Sequence, residues 1–263
     1  MSRVVVKIGG HALGDLSADA PVLVDLAADL AELLRGGARA VVVHGGGPQI
    51  GELLDRVGLE SRFVDGLRVT DAATMPVVAM ALSLVNVEIV AALNRSGVAA
   101  VGLSGVDAGL LTAEALGDPW GRAGASPRVR PGVLEGLWAA GLTPVVSSVA
   151  ADSVGELVNV NADAAAGALA AAIGADALVL LSDVAQVRAD PDDDASALSV
   201  LSRERARALI DSGGARDGMR PKLRAALDAL ESGARSVTLA DGTRAHALRD
   251  ALGRTVPVTE VVA

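Results

Sequence analysis

Lys7 and Lys222 are the only lysines in a chain of 263 residues that carries 23 basic side chains; arginine supplies all the others. A solvated lysine that serves solubility exchanges readily for arginine. A compact, rotatable ammonium held against a phosphate does not exchange for a bulky planar fork. Both lysines stand close to glycine. Lys7 follows Val4-Val5-Val6 and precedes Ile8-Gly9-Gly10, and Lys222 follows Gly218-Met219 at the start of a predicted helix. The chemistry such residues suit is neutralisation of anionic charge.

Other short motifs point the same way. In His44-Gly45-Gly46-Gly47-Pro48 an apolar run ends in three glycines and a proline that opens a helix. Bare backbone N–H groups and the helix dipole there favour an anion such as a phosphoryl group in transfer. A plain tight turn is the simpler alternative. The common nucleotide fingerprints do not occur: there is no Gly-x-x-x-x-Gly-Lys, and the position five after Gly45 is Ile50. Arg68 precedes a helix capped by Asp71 and could grip a carboxylate with two parallel hydrogen bonds, although a solvated surface arginine also accounts for it. Asn159-Val160-Asn161-Ala162-Asp163 sets three short polar side chains ahead of an apolar helix. One N-cap accounts for one of them. The others suggest a polar cluster in a cleft, where Asp163 could pair with the lysines. Ser182-Asp183 closes an apolar run, and Asp217-Gly218-Met219 leads into the helix that carries Lys222. His11, His44 and His246 show no metal-ligand spacing.

The elements that must position these residues are short β-branched runs alternating with Ala/Leu-rich helical runs, the pattern of a parallel sheet covered on both faces. Strands are expected at 3–8, 38–44, 99–103, 143–148, 177–182 and 236–240, with an extended tail. Helices are expected at 21–35, from 47 to about 57, from 71 to about 94, and at 133–140, 163–173, 221–232 and 245–252. Another starts at Ser202 and ends at Gly213-Gly214. Residues 63–69 read as a short hairpin or edge segment, 104–131 as irregular with small excursion strands, and 188–194 as a charged loop. Ligands gather at the carboxyl ends of strands in such sheets, where Lys7, His44 and Ser182 all fall.

Composition narrows the function classes. Half of the residues are apolar while only 1% are aromatic, so Ala, Val and Leu must fill the core. A net charge of −9 disfavours nucleic acid. The absence of cysteine leaves no disulfide framework and no thiolate zinc site, and makes a reducing cytosol the simplest location. The first residues reach charge too quickly for a signal peptide, and the uncharged stretch 164–175 is too short to span a bilayer.

In order along the chain, Lys7-Ile8-Gly9-Gly10, His44-Gly45-Gly46-Gly47-Pro48-Gln49, Gly66-Leu67-Arg68-Val69-Thr70, Pro144-Val145-Val146-Ser147-Ser148, Asn159-Val160-Asn161-Ala162-Asp163, Leu181-Ser182-Asp183 and Gly218-Met219-x-x-Lys222 resemble the motifs of the amino acid kinase family. The likeness runs from Val5 to about Leu230 and is greatest to the acetylglutamate kinases. It implies an α/β fold, a three-layer α/β/α sandwich with a mainly parallel central sheet. Residues 1–175 would form an N-terminal lobe for substrate binding and dimerisation, and residues 176–263 a C-terminal lobe for ATP. The implied activity is ATP-dependent phosphorylation of the side-chain carboxylate of N-acetyl-L-glutamate to an acyl phosphate for arginine biosynthesis. The resemblance assigns Lys7 and Lys222 to stabilising the phosphoryl group and Asp163 to orienting them. Gly10, Gly46 and Gly47 would donate N–H groups, and Arg68 and Asn159 would hold the substrate. Ser182, Asp183, Gly218 and Met219 match nucleotide-lobe positions. ATP would come with Mg²⁺ held mainly by the phosphates, with no metal site made by the protein.

The chemistry is self-consistent. A side-chain carboxylate with a pKa of about 4.3 is already ionised at neutral pH. It needs no general base, only in-line positioning and relief from anion–anion repulsion. Departures from the family pattern concern details. Val87 follows Asn86 where a lysine is frequent, the 112–131 stretch is short, and the loop after Asp183 is acidic where a glycine-rich turn is common. No helix precedes the first strand; in this family that helix accompanies arginine-inhibited hexamers, so a cytoplasmic homodimer is expected, without nucleic-acid or membrane partners. The lack of an added regulatory or RNA-binding domain disfavours aspartokinases and long glutamate 5-kinases. Two alternatives remain: a kinase for glutamate or aminoadipate on a small acidic carrier protein, docking on Arg122, Arg128 and Arg130, and a catalytically inactive regulatory relative.

Overall fold

Proline and glycine punctuate the chain where its elements begin and end. The computed structural model describes every residue except Asp15, Ala18, Asp217, Ser232 and Ala263. Asp217 of the motif before Lys222, and the last residues of the predicted 221–232 helix and of the tail, therefore lie outside the described residues. Strand β1 (Arg3–Ile8) runs into a single helical turn, α1 (Gly10–Leu13). Helix α2 (Pro21–Arg35) opens on its proline, whose missing N–H is no loss in a first turn, and ends at Gly36-Gly37. Strand β2 (Arg39–His44) passes through the glycines into α3 (Gly47–Arg56). The hairpin β3 (Phe63–Val64) and β4 (Leu67–Arg68) precedes α4 (Thr74–Arg95), whose first turn is capped by Asp71 Oδ1, which accepts from the N–H groups of Ala73 and Thr74.

Beyond α4 come β5 (Ala100–Ser104), β6 (Leu111–Gly117), β7 (Gly121–Val129), α5 (Gly132–Ala139), β8 (Thr143–Ser147), β9 (Val149–Ala151), β10 (Leu157–Val160) and α6 (Ala162–Ala172). The remainder is β11 (Ala177–Ser182), β12 (Val187–Arg188), β13 (Ala197–Leu198), β14 (Val200–Ser202), α7 (Arg203–Asp211), α8 (Met219–Glu231), β15 (Val237–Asp241), α9 (Ala247–Gly253) and β16 (Val258–Val262). The segment read as irregular, 104–131, is more ordered than expected. Its strands β6 and β7 pair antiparallel and close with β9 and β10 into a small four-stranded barrel. The apolar alternation in these strands is broken by Gly and Ser and by register shifts, so periodicity alone does not reveal them.

Eight strands form one sheet in the order β14-β16-β15-β11-β1-β2-β8-β5, parallel except at the β15–β16 pair. Successive side chains on a strand face opposite ways, and the two cores follow that rule. Val4, Val6 and Ile8 of β1 and Ala40 and Val42 of β2 pack with α2, α4 and α9. Val5 of β1 and Val41 and Val43 of β2 pack with α5, α6, α7 and α8. Lys7 shares the parity of Val5, and so points toward α6 and α8. His44 shares the parity of Val42, and so points toward α4.

Small residues let the helices of the second of these layers come close. A Cβ at Gly167 of α6 would stand 2.8 Å from the carbonyl oxygen of Ala225 on α8. The two helices that carry Asp163 and Lys222 are thus packed backbone against backbone, which accounts for the alanine-rich, aromatic-poor composition. Helix α4 is long and apolar enough by composition to cross a membrane, but half of its most apolar stretch is buried within the protein.

Candidate active site

Lys7 is the last but one residue of β1 and is buried together with Asp163, the second residue of α6. Asn161 caps that helix, its Oδ1 accepting from the N–H groups of Asp163 and Ala164, which fixes where the Asp163 carboxylate emerges. Lys7 Nζ lies 2.8 Å from Asp163 Oδ1, and Lys222 Nζ donates to Asp163 Oδ2 at 3.3 Å. One carboxylate therefore bridges two ammonium groups brought from a strand and a second helix.

Burial pushes the Lys7 ammonium below its usual pKa, and Lys222 adds to that effect while Asp163 opposes it. Burial alone would raise the Asp163 carboxyl, but the attraction of Lys7 and then Lys222 holds it below the ordinary carboxylate range. Asp163 is thus ionised at neutral pH, one negative charge between two ammonium groups. The cluster has the electrostatic form to accept further negative charge.

The glycines build the other wall. Gly10, Gly46 and Gly47 line a cavity of ≈ 230 Å³ together with Lys7, Arg68, Asn159 and Asp163. A Cβ at Gly10 would meet Pro48 Cδ at 2.8 Å and Gly47 N at 2.9 Å, so the two turns interlock through bare backbone. No side chain caps α3, whose first residue, Gly47, lines this cavity. A Cβ at Gly9 would stand 3.3 Å from Lys7 Nζ and from Leu181 O, so a side chain there would crowd the lysine.

Arg68 is buried rather than solvated. It donates to Gly47 O at 2.9 Å and to Ser61 Oγ, and the ring of Phe63 lies 4.6 Å from its guanidinium carbon. Asn159 sits in β10, not in the loop before α6, and its Nδ2 donates to Thr70 Oγ1 at 3.0 Å. Thr70 Oγ1 donates in turn to Arg68 O at 2.9 Å. Barrel, hairpin and glycine turn are thereby tied around one cavity. Asn161 of the polar cluster lines it as well, as do His11, Phe63 and Ser148, to which the sequence assigned no site role. Ser148, just past the carboxyl end of β8, carried the positional signal that could have found it.

A second cavity of ≈ 640 Å³ opens at the carboxyl end of β11 and the start of α8. Asp183 and Met219 line it with Val184, Arg216, Asp241 and Pro257. Its mixture of apolar walls and convergent polar ends suits a nucleotide. Ser182 and Gly218 line neither cavity. Ser182 is buried and exchanges hydrogen bonds with the backbone of Val184, shaping the turn. Lys7 and Asp163 line the smaller cavity, whereas Lys222 lines neither and lies one turn beyond Met219 of the larger one. Among the described residues no group of three or more His, Asp or Glu side chains could hold a metal ion.

Residues 2–241 match the Amino acid kinase family. A curated acetylglutamate kinase of Pelotomaculum thermopropionicum is 45% identical over 93% of this chain and 86% of its own. One from a Synechococcus species is 47% identical over 94% of this chain and 83% of its own. Among solved structures, a protein from Streptococcus mutans superposes with a TM-score of 0.81 at 28% identity, covering 91% of this chain and 94% of that one.

Proposed function

The chain belongs to the amino acid kinase family, and from that premise we propose that it transfers the γ-phosphoryl group of ATP to the side-chain carboxylate of N-acetyl-L-glutamate, giving an acyl phosphate for arginine biosynthesis. The observation that carries this reading is the single carboxylate of Asp163 bridging Lys7 and Lys222 at the wall of a glycine-lined cavity, with a nucleotide-sized cavity at the start of the helix that carries Lys222. The acetylglutamate kinases to which the chain is similar over more than nine-tenths of its length support the choice of acceptor.

Arg68 and Asn159 hold the acceptor in the smaller cavity, within the lobe formed by residues 1–175. Asp183 and Met219 face ATP in the larger one, within residues 176–263, where Ser182 and Gly218 shape the approach. Bound ATP, with Mg²⁺ on its phosphates, supplies the phosphoryl group. Lys7 and Lys222 neutralise charge as the two anions approach, and Asp163 keeps both ammonium groups aimed at one point. Gly10, Gly46 and Gly47 present N–H groups to the same charge. None of these residues moves a proton, because the attacking carboxylate is already ionised.

Helix α4 supports a homodimer. Met80, Leu84 and Val87 form an exposed apolar stripe at helical spacing on the longest helix. A stripe of this kind is self-complementary when a second copy packs across a two-fold axis. The buried apolar face of the same helix supports a soluble enzyme, and the cysteine-free composition a cytoplasmic one. Arg122, one part of a possible carrier-docking rim, is engaged by Asp152 and Glu156 and by the carbonyl oxygen of Leu157. This favours a free small-molecule acceptor over a carrier-bound one.

The test is ATP-dependent hydroxamate formation with N-acetylglutamate, glutamate and carrier-linked glutamate side by side. Highest turnover is expected on N-acetylglutamate. Preference for the carrier-linked acceptor would establish the alternative, and folded protein that turns over none of them would sink the kinase reading.

A further inference from the structure

The glycine turn that opens α3 is held from behind by a buried side chain outside both cavities. His44 is fully buried and faces α4, where Asn86 is also buried. Asn86 Nδ2 lies 3.0 Å from Val145 O and 3.4 Å from Leu103 O. Carbonyl oxygens only accept, so the atom facing them is the amide nitrogen. Its two hydrogens serve Val145 O and, at 2.9 Å, His44 Nε2, which leaves Leu103 O at 3.4 Å as a secondary contact. An imidazole whose Nε2 accepts carries its proton on Nδ1. His44 Nδ1 lies 3.0 Å from Gly45 O, to which it donates. Burial supports this neutral form, pushing the His44 pKa down to about 4.

The consequence lies in the next peptide unit. The Gly45 carbonyl and the Gly46 N–H belong to one planar trans peptide and point in opposite directions. Tying the carbonyl to a buried ring fixes the N–H on the other side, and Gly46 lines the cavity beside Lys7. Room for the arrangement is built into the sheet: a Cβ at Gly102 would stand 2.0 Å from Asn86 Oδ1.

We propose that His44, locked in one tautomer by Asn86, is a positioning residue that aims the Gly46 N–H at the transferring phosphoryl group. The proposal rests on the phosphoryl-transfer function given above. It does not require His44 to touch substrate or to titrate during turnover.

Two conservative variants separate aiming from packing. In His44→Asn the amide nitrogen falls where Nδ1 stood and can still donate to Gly45 O. In His44→Gln the amide reaches toward Asn86 but leaves Gly45 O without its donor. His44→Gln is expected to lower kcat by at least about tenfold with KM for N-acetylglutamate within about threefold, as for a misaimed transition-state donor. His44→Asn should recover most of that loss at a comparable melting temperature. Equal kcat in the two variants, or losses that follow melting temperature alone, would overturn the proposal. An independent measurement is the ¹⁵N spectrum of the wild-type imidazole: a proton on Nδ1 supports the relay, and a proton on Nε2 overturns it. Inactive wild-type protein would sink the kinase function itself, whereas active wild-type protein with indistinguishable variants sinks only this inference.

Discussion

Lys7 and Lys222 meet on one carboxylate, at 2.8 Å and 3.3 Å from the two oxygens of Asp163. Each ammonium has its own oxygen, so neither can be replaced by a group that needs both. A guanidinium is wider than an ammonium and places its charge on a rigid plane. Lys7→Arg and Lys222→Arg are each expected to lower kcat by at least about a hundredfold, the scale of losing one transition-state charge contact. Hydroxamate kinetics with circular dichroism as a folding control checks this, and near-normal turnover in either variant would remove that lysine from the proposed mechanism.

Burial sets the alkaline limit of activity. Folding disfavours the Lys7 ammonium, so Lys7 loses its proton below the usual 10.5. In linkage terms, between the lowered folded-state pKa and 10.5 the unfolded chain binds the extra proton, and stability from this group rises with pH. Activity runs the other way, because the proposed mechanism needs the charged form. The profile of kcat/KM, which reports the free enzyme, is expected to fall on its alkaline side before pH 10.5. A profile that stays flat to that pH would show that Lys7 is not the limiting group.

His44 sets an acid limit on stability. Its folded-state pKa of about 4 lies below the ordinary 6.5, so it folds neutral while the unfolded chain takes up a proton. The contribution is fully present above 6.5 and is lost as pH falls toward about 4, for a total of about 3 kcal/mol. Urea unfolding across that range should show the decline in the wild type and a shallower one in His44→Asn. Equal slopes would mean that other groups carry the acid sensitivity.

The stripe on α4 makes a prediction about assembly. Leu84 is well exposed, and its neighbours Met80 and Val87 are apolar. Leu84→Asp would place a charge at the centre of a two-fold contact and is expected to convert a dimer to a monomer, with little change in the melting profile of the folded chain. Light scattering after gel filtration reads the mass directly. A wild-type monomer would overturn the dimer reading, and a dimer unaffected by the substitution would place the contact elsewhere.

Much of this was legible before any fold was known. Alternating apolar runs specified the parallel sheet and most of its helices, because the period of burial is written into residue order. The rarity of lysine marked Lys7 and Lys222, and the glycines marked the turn, because each needs a side-chain property that few substitutes share. The small barrel stayed hidden, since β6 and β7 carry register shifts and its closure rests on the β7–β10 and β6–β9 pairs, whose strands lie far apart along the chain.

Residue types alone determined which groups could neutralise a phosphoryl charge. Which of them meet was decided by tertiary structure. Parity on β1 turns Lys7 toward α6, the close approach at Gly167 brings α8 and Lys222 alongside, and Asn161 sets the exit of Asp163. The tautomer of His44 was equally invisible, because it depends on an amide from α4 whose own orientation is imposed by two carbonyl oxygens of neighbouring strands. Such relationships arise from side chains distant in sequence packing in one place, and no local pattern encodes them.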